Sequence, residues 1–278
     1  MDRLGEILWH RGVMAIVNAT PDSFYVSSRT QSHKAVAERV EQAMKEGAAI
    51  IDIGGYSSRP DAENILVEEE WQRVDMAIAA TREVAYDVAI SVDTFRAEIV
   101  RRVYEKYGEI IVNDITGGLG DTAMLTTVAE FKLPYIAMHM RGTPQTMQQQ
   151  TLYNDIVADV VAELQERLEA IKAAGIALSQ VALDPGFGFA KTVEQNYELL
   201  SGLHHLTALK QPLLVGVSRK SMIYKTLGIT PDEALAPTQA LHWEALRQGA
   251  TLLRVHDVSE AVQTIKLYEK FEQNDKGF

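Results

Sequence analysis

The stretch VMAIVNATPDSF, residues 13–24, decides the fold. An apolar run stops at Asn18 and passes straight into a stiff, polar turn that contains a proline. Seven more runs rich in Val, Ile and Leu follow it. They are AIIDIG (49–54), VAISVD (88–93), EIIVND (109–114), PYIAMH (134–139), QVALDP (180–185), PLLVGVS (212–218) and TLLRVHD (251–257). Near-continuous apolarity without strict alternation is what a parallel strand covered on both faces requires. Amphipathic helical patterns lie between the runs: Lys34 to Glu46, Glu68 to Ala80, Asn154 to Ala174, Val193 to Leu206 and Pro237 to Gln248. Several of these stop at a glycine, as helices commonly do.

Alternating strands and helices make right-handed βαβ units and a parallel sheet. Such a sheet is either doubly wound or closed. A doubly wound sheet usually carries a glycine-rich phosphate fingerprint in its first turn. The first turn here, NATPDSF, has no glycine at all. Eight units in 278 residues, without a Pro- or Ser-rich linker, predict an α/β fold of one domain over 1–278, a (β/α)8 TIM barrel.

Composition narrows the function classes. A net charge of -11 argues against a general grip on nucleic-acid phosphates. The absence of cysteine removes disulfides, thiolate zinc sites and a cysteine nucleophile. The histidines show no metal-ligand spacing. No stretch reaches membrane-spanning length and the start is no secretory signal, so the expectation is a cytoplasmic protein that needs no membrane.

Each run ends in a group able to hydrogen-bond or carry charge: Asn18, Asp52, Asp93, Asn113 with Asp114, His139, Asp184, Ser218 through Lys220, and Arg254 with His256. One Asp or Asn after a strand more often caps a helix or shapes a turn than it catalyses. In a closed barrel, however, all of these ends meet on the C-terminal face, where such folds place their chemistry. The early and middle strands supply amides and carboxylates. The last two supply Arg219, Lys220, Arg254 and His256. This polarity suits a ligand with donors at one end and an anion at the other. Met140 and Met147 read as packing, and Glu68-Glu69-Glu70 as a solvated first helical turn.

The stretches NATPDSF, DIGGYSSRP, ISVDT, IVNDITGG, MHMRGTPQTMQ, LDPGFGFAKT, VSRKSMI and LRVHDV, in this order, resemble the dihydropteroate synthase family of pterin-binding barrels over nearly the whole chain. The resemblance implies condensation of 6-hydroxymethyl-7,8-dihydropterin pyrophosphate with p-aminobenzoate, by dissociative substitution, in folate synthesis. It implies a pterin site of Asp93, Asn113, Ile115, Met138, Asp184, Phe189, Lys220 and Arg254. Pyrophosphate would meet Asn18, Ser58, Arg254 and His256, and p-aminobenzoate Phe24, Pro60, Phe189, Lys220 and Ser221. Asp93, Lys220, Arg254 and His256 take the catalytic roles, and Asn18 offers an oxygen to Mg²⁺. A homodimer and sulfonamide sensitivity come with the resemblance. The sequence departs from the family pattern at Asp61, where glycine is common, in FYVSSRT, and at Ala19. The pterin residues are untouched. A pterin-binding methyltransferase domain is the nearest alternative, but it needs no basic pyrophosphate corner; a non-catalytic paralogue is the other.

Overall fold

The computed structural model describes residues 3–19, 29–57 and 64–274. In chain order it begins with α1 (Arg3–Ile7), β1 (Gly12–Asn18), α2 (Arg29–Glu46), β2 (Ile50–Gly54), α3 (Val67–Val84) and β3 (Ala89–Asp93). Next come α4 (Ala97–Tyr107), β4 (Ile111–Asp114), α5 (Met124–Phe131), β5 (Tyr135–Met138), α6 (Ile156–Ala173) and β6 (Val181–Asp184). The chain continues through α7 (Val193–Ser201), β7 (Leu214–Val215), α8 (Ser221–Leu227), α9 (Leu235–Arg247), β8 (Leu252–Val255) and α10 (Val258–Asn274).

The strands run parallel in the order β6-β5-β4-β3-β2-β1-β8-β7. A parallel bridge between Leu183 and Leu213 brings β6 back to β7 and closes the ring. The expected barrel is therefore the observed one.

Register explains why the strands read as continuously apolar. Asn18 pairs with Gly54, Gly54 with Asp93, and Asp93 with Asn113, so these positions share one face across four strands. That face is the inside. Two residues lower, Ile16, Asp52 and Ser91 form the next inward tier, and Met14, Ile50 and Ala89 the one below. The intervening residues, such as Val13, Ala15 and Val17 on β1, face the helices and belong to the large outer core. Both faces are buried, so both are apolar except where the inner face meets the mouth.

The lower tier is a dry plug. Met14, Ile50, Ala89, Ile111, Ile136, Ala182, Leu214 and Leu252 pack together with Leu8, which follows α1. Leu4 and Ile7 of α1 rest against the same cluster. A fully buried leucine of this kind contributes about 1.5–3 kcal/mol by leaving water.

Local signals set the helices. Asp155 caps α6 by accepting from the N–H groups of Val157 and Ala158, both at 3.0 Å. Thr192 and Gln195 form a reciprocal box at the start of α7. The predicted helix from Val193 to Leu206 stops at Ser201, and the chain goes on as 3₁₀ turns over Leu203–Leu209. Gly202 stands at the break, where a Cβ would lie 2.7 Å from Val157 of α6. The acidic run at the start of α3 is also not uniformly solvated. Glu70 is fully buried and accepts from Thr94 Oγ1 at 2.6 Å and Arg96 Nη1 at 2.8 Å, tying α3 to the turn that follows β3.

Candidate active site at the mouth of the barrel

Arg254, inward on β8, organises the floor of the mouth. Its Nε donates to Asp52 Oδ2 and its Nη2 to Asp93 Oδ2, each at 2.7 Å. Asp52 is fully buried, and Asn113 Nδ2 donates to both its oxygens at 3.3 Å. That leaves the Oδ1 of Asn113 to accept from a ligand. Burial raises Asp93, to about 7, against the pull of Arg254, and the neighbouring Asp52 adds to the rise. Arg254 is held charged well above its ordinary range, the two carboxylates outweighing burial. One guanidinium thus serves two acids, and removing it would strand a buried charge.

Asp184, at the end of β6, is 6% exposed and pairs in register with Met138 of β5. Its Oδ1 accepts from the N–H of Gly186 at 2.7 Å. Burial raises its pKa, opposed first by Lys220. A ligand offering two N–H donors would reverse that rise by hydrogen-bonding the charged form. The chain then turns tightly through residues 185–191. Gly186 sits at φ +71, where a Cβ would be only 2.0 Å from the carbonyl oxygen of His139, so this glycine is required by the approach of two backbones. Ala190 takes φ 51 in the same turn, a conformation that costs a non-glycine residue about 1–3 kcal/mol.

Lys220 enters the mouth from the other side. Its Nζ donates to the carbonyl of Phe187 and stands 4.9 Å from the centre of the Phe189 ring. Burial pulls its pKa down to about 8, with Asp184 opposing. Gly216 lies between Lys220 and Arg254: a Cβ there would be 3.8 Å from Lys220 Nζ and 3.7 Å from Arg254 Cβ. Beside these polar groups, Ile115, Met138, Met140, Met147 and Ala190 form a buried apolar cluster with Phe95 and Phe189 against it. The predicted walls Ile115, Met138 and Phe189 are together, and Met140 and Met147 are packing, as expected. One side is polar, the other flat and apolar, which suits a heteroaromatic ring.

The rim is more open. Asn18 is exposed, and its Oδ1 would be 3.8 Å from a Cβ on Gly54, as would Asp93 Oδ2. His256 is exposed too. Ser218 Oγ accepts from the backbone N–H of His256 at 3.2 Å and lies 3.1 Å from its Nδ1. Ser221 opens α8, directly after Lys220. Among the described residues no three His, Cys, Asp or Glu side chains form a metal cage. Among those residues Asn18 offers a neutral amide on the rim, which fits a cation that keeps most of its water and takes further oxygens from its ligand, as magnesium does. The predicted Phe24, Ser58 and Pro60 lie outside the described residues.

Three strand-end residues do not face the mouth. His139, one place beyond inward Met138, points outward to Lys191 and to Glu163 of α6. Asp114 also turns outward and accepts from Thr116, Gly118 and Tyr135. Arg219 is bound to Asp257 through Nε at 2.7 Å and Nη2 at 2.8 Å. Its φ of 53 reverses the chain, sending Arg219 out and Lys220 in. Asp52, expected at this face as a strand-end group but given no ligand role, is the buried partner that Arg254 and Asn113 share.

This geometry has known counterparts. The family model described as "Pterin binding enzyme" matches residues 14–256. Dihydropteroate synthase of Escherichia coli strain K12 is 42% identical over 265 residues, covering 94% of this chain and 92% of that protein. Dihydropteroate synthase of Xanthomonas albilineans, solved with 4-aminobenzoic acid, superposes with a TM-score of 0.87 at 37% identity, covering 95% and 94% of the two chains. The same organism's enzyme in complex with 7,8-dihydropteroate gives 0.83 at 35% identity, covering 95% of each. With its barrel, its polar floor and its sequence in agreement, the chain belongs to the dihydropteroate synthase family of pterin-binding enzymes.

Proposed function

We propose that the mouth binds 6-hydroxymethyl-7,8-dihydropterin pyrophosphate and p-aminobenzoate and joins them into 7,8-dihydropteroate, with residue roles as follows. Asp184 accepts from a ring N–H and the exocyclic amine of the pterin. Asn113 accepts at the same edge. Lys220 donates to the pterin carbonyl and ring nitrogen, and Ile115, Met138 and Phe189 enclose the ring's faces. Arg254, where Asp52 and Asp93 hold it, lies under the ring and reaches towards the diphosphate, with Asn18 and His256 on the rim. Ser58 joins them in this reading. Phe24, Pro60, Phe189, Lys220 and Ser221 take the aminobenzoate.

The reaction breaks the methylene C–O bond, and its electron pair leaves with the diphosphate. Arg254 and His256 stabilise the charge that develops there. Magnesium, when bound at Asn18, supplies further neutralisation of the diphosphate oxygens. Asp93 lies beside the methylene and stabilises the positive charge spread into the pterin. The amine of p-aminobenzoate then forms the C–N bond and releases a proton. No covalent intermediate with the protein is needed, in keeping with the absence of a nucleophile–base pair among the floor residues.

The observation that carries this reading is the Arg254 guanidinium spanning Asp52 and Asp93 beside Asn113, next to a buried Asp184. The test is formation of dihydropteroate by the purified protein from the two substrates. Diphosphate release matched by dihydropteroate when p-aminobenzoate is present supports synthesis; transfer of a methyl group from a methylated pterin would replace it with the methyltransferase reading. A homodimer in the cytoplasm belongs to the same proposal. No helix among the described residues is long and apolar enough to cross a membrane, and sedimentation would give the assembly state.

A further inference from the structure

Lys191 has no place in the chemistry above, yet it is the least exposed lysine or arginine among the described residues, at 4% exposure. Its Nζ lies 3.0 Å from each of three groups: the carbonyl of Gly186, the carbonyl of Phe189 and Nδ1 of His139. On its far side His139 Nε2 is 3.0 Å from Glu163 Oε2. Glu163 in turn is gripped by Arg141, whose Nε donates to Oε1 at 2.9 Å.

Counting hydrogens fixes the state of this chain. Burial raises Glu163, but hydrogen bonds from His139 and Arg141 outweigh it and bring it down to about 2, so it is a carboxylate. Burial pulls His139 down to about 4, so the ring is neutral. Its one hydrogen must be on Nε2, since a bare nitrogen cannot face a carboxylate at hydrogen-bond distance. Nδ1 is then an acceptor. Lys191 therefore faces three acceptors, which an ammonium satisfies with its three N–H groups and a neutral amine cannot. Burial works against that charge, pulling Lys191 down to about 7; Asp184 and Glu163 support it, and Lys220 and Arg141 oppose it.

The same turn is held from both sides. Lys191 takes the carbonyls of Gly186 and Phe189 from behind, while Lys220 takes that of Phe187 from the mouth. The turn itself contains the strained Ala190 and donates from Gly186 to Asp184. Left to itself, such a backbone would relax.

We propose that Lys191 is a positioning residue for the pterin end of the reaction. Its ammonium, fixed by His139 and Glu163, locks the Gly186–Phe189 turn and thereby sets Asp184 and the Phe189 ring. The proposal rests on the pterin reading of the mouth, and the experiment separates the two.

Steady-state kinetics of the wild type, K191M, E163A and the double variant decide it, with the folded fraction followed by circular dichroism. Loss of three hydrogen bonds from a charged donor leads us to expect K191M to raise KM for the pterin diphosphate about tenfold, through Asp184 and Phe189 together, and KM for p-aminobenzoate by only about threefold, through Phe189 alone. E163A, which frees His139 but keeps Lys191, should raise the pterin KM about threefold, and the double variant should be no worse than K191M, because both act along one chain. A merely structural lysine would lower the active fraction and leave both KM values alone; that result overturns the proposal. Should K191M fail to fold, E163A carries the test alone, and an unchanged pterin KM in it sinks the idea. A wild type that makes no dihydropteroate would instead refute the functional reading.

Discussion

At the floor of the mouth Asp184 is 6% exposed and Asn113 3%, and each already holds a hydrogen bond within the protein. On the rim, Asn18 and His256 stand exposed, and Asn18 pairs in register with Gly54 of β2. The floor is pre-organised, and the cost of desolvating its carboxyls is met during folding by Arg254, Asn113 and the turn after β6. The rim is prepared less, with Ser218 holding His256 and the remaining contacts left to the ligand. A planar ring with a fixed edge rewards the first arrangement, because its donors must meet acceptors at set positions. A diphosphate that arrives hydrated and leaves again is served by the second, where water and cation complete the contacts.

Four measurements would break or sharpen that contrast. The largest effect is expected from Arg254→Met, which leaves buried Asp52 and Asp93 without their common cation. Stability should fall by about 3–5 kcal/mol and turnover should vanish; denaturant unfolding that matches wild type would show that the floor does not depend on this pair. Next comes Asp184→Asn, in which one acceptor of a two-point contact becomes a donor. Affinity for the pterin diphosphate should drop at least tenfold by calorimetry, and an unaltered isotherm would remove Asp184 from the ring's edge.

The third concerns protons. Asp93 is raised to about 7 and Lys220 lowered to about 8. The negative form of Asp93 is lost as pH falls through its value, and the ammonium of Lys220 is lost as pH rises through its own. The profile of kcat/KM for the pterin diphosphate should therefore be bell-shaped, with apparent limbs near those values that belong to the coupled floor. Asp93→Asn should abolish the acid limb; if the limb persists, another group owns it. The smallest effect lies on the rim. Asn18→Ala should raise the magnesium concentration for half-maximal rate by about fivefold, one of several oxygen ligands being lost, while binding of a pterin lacking the diphosphate stays as it was. Equal loss for both ligands, or full rate after exhaustive chelation, would take the metal away from Asn18.

Much of this was legible in the amino-acid order. The eight runs predicted the barrel, and most predicted ends fall within a residue or two of the observed strands, β7 being the shortest at Leu214–Val215. Asp93, Asn113, Asp184, Lys220 and Arg254 meet where the strand ends were expected to converge. What could not be read was the face. A shift of one residue turns a side chain from the mouth to the outer layer, and strands buried on both faces give no alternation from which to judge it. His139 and Asp114 were assigned inward on that account. Arg219 and Lys220 are adjacent cations that differ only through a backbone angle, and no composition reports an angle. Lys191 was hidden for another reason: its partners are two carbonyl oxygens of its own turn and a histidine just beyond β5, and only the fold brings them together.

The plug of Leu8, Met14, Ile50 and Leu252 has a consequence for timing. With the lower end of the barrel stoppered by hydrocarbon, Asp52 and Arg254 are approached from the upper opening. In the proposed complex the pterin covers that opening. On that reading the floor exchanges protons freely before the ring arrives and after it departs, while the proton shed by the amine leaves over the rim.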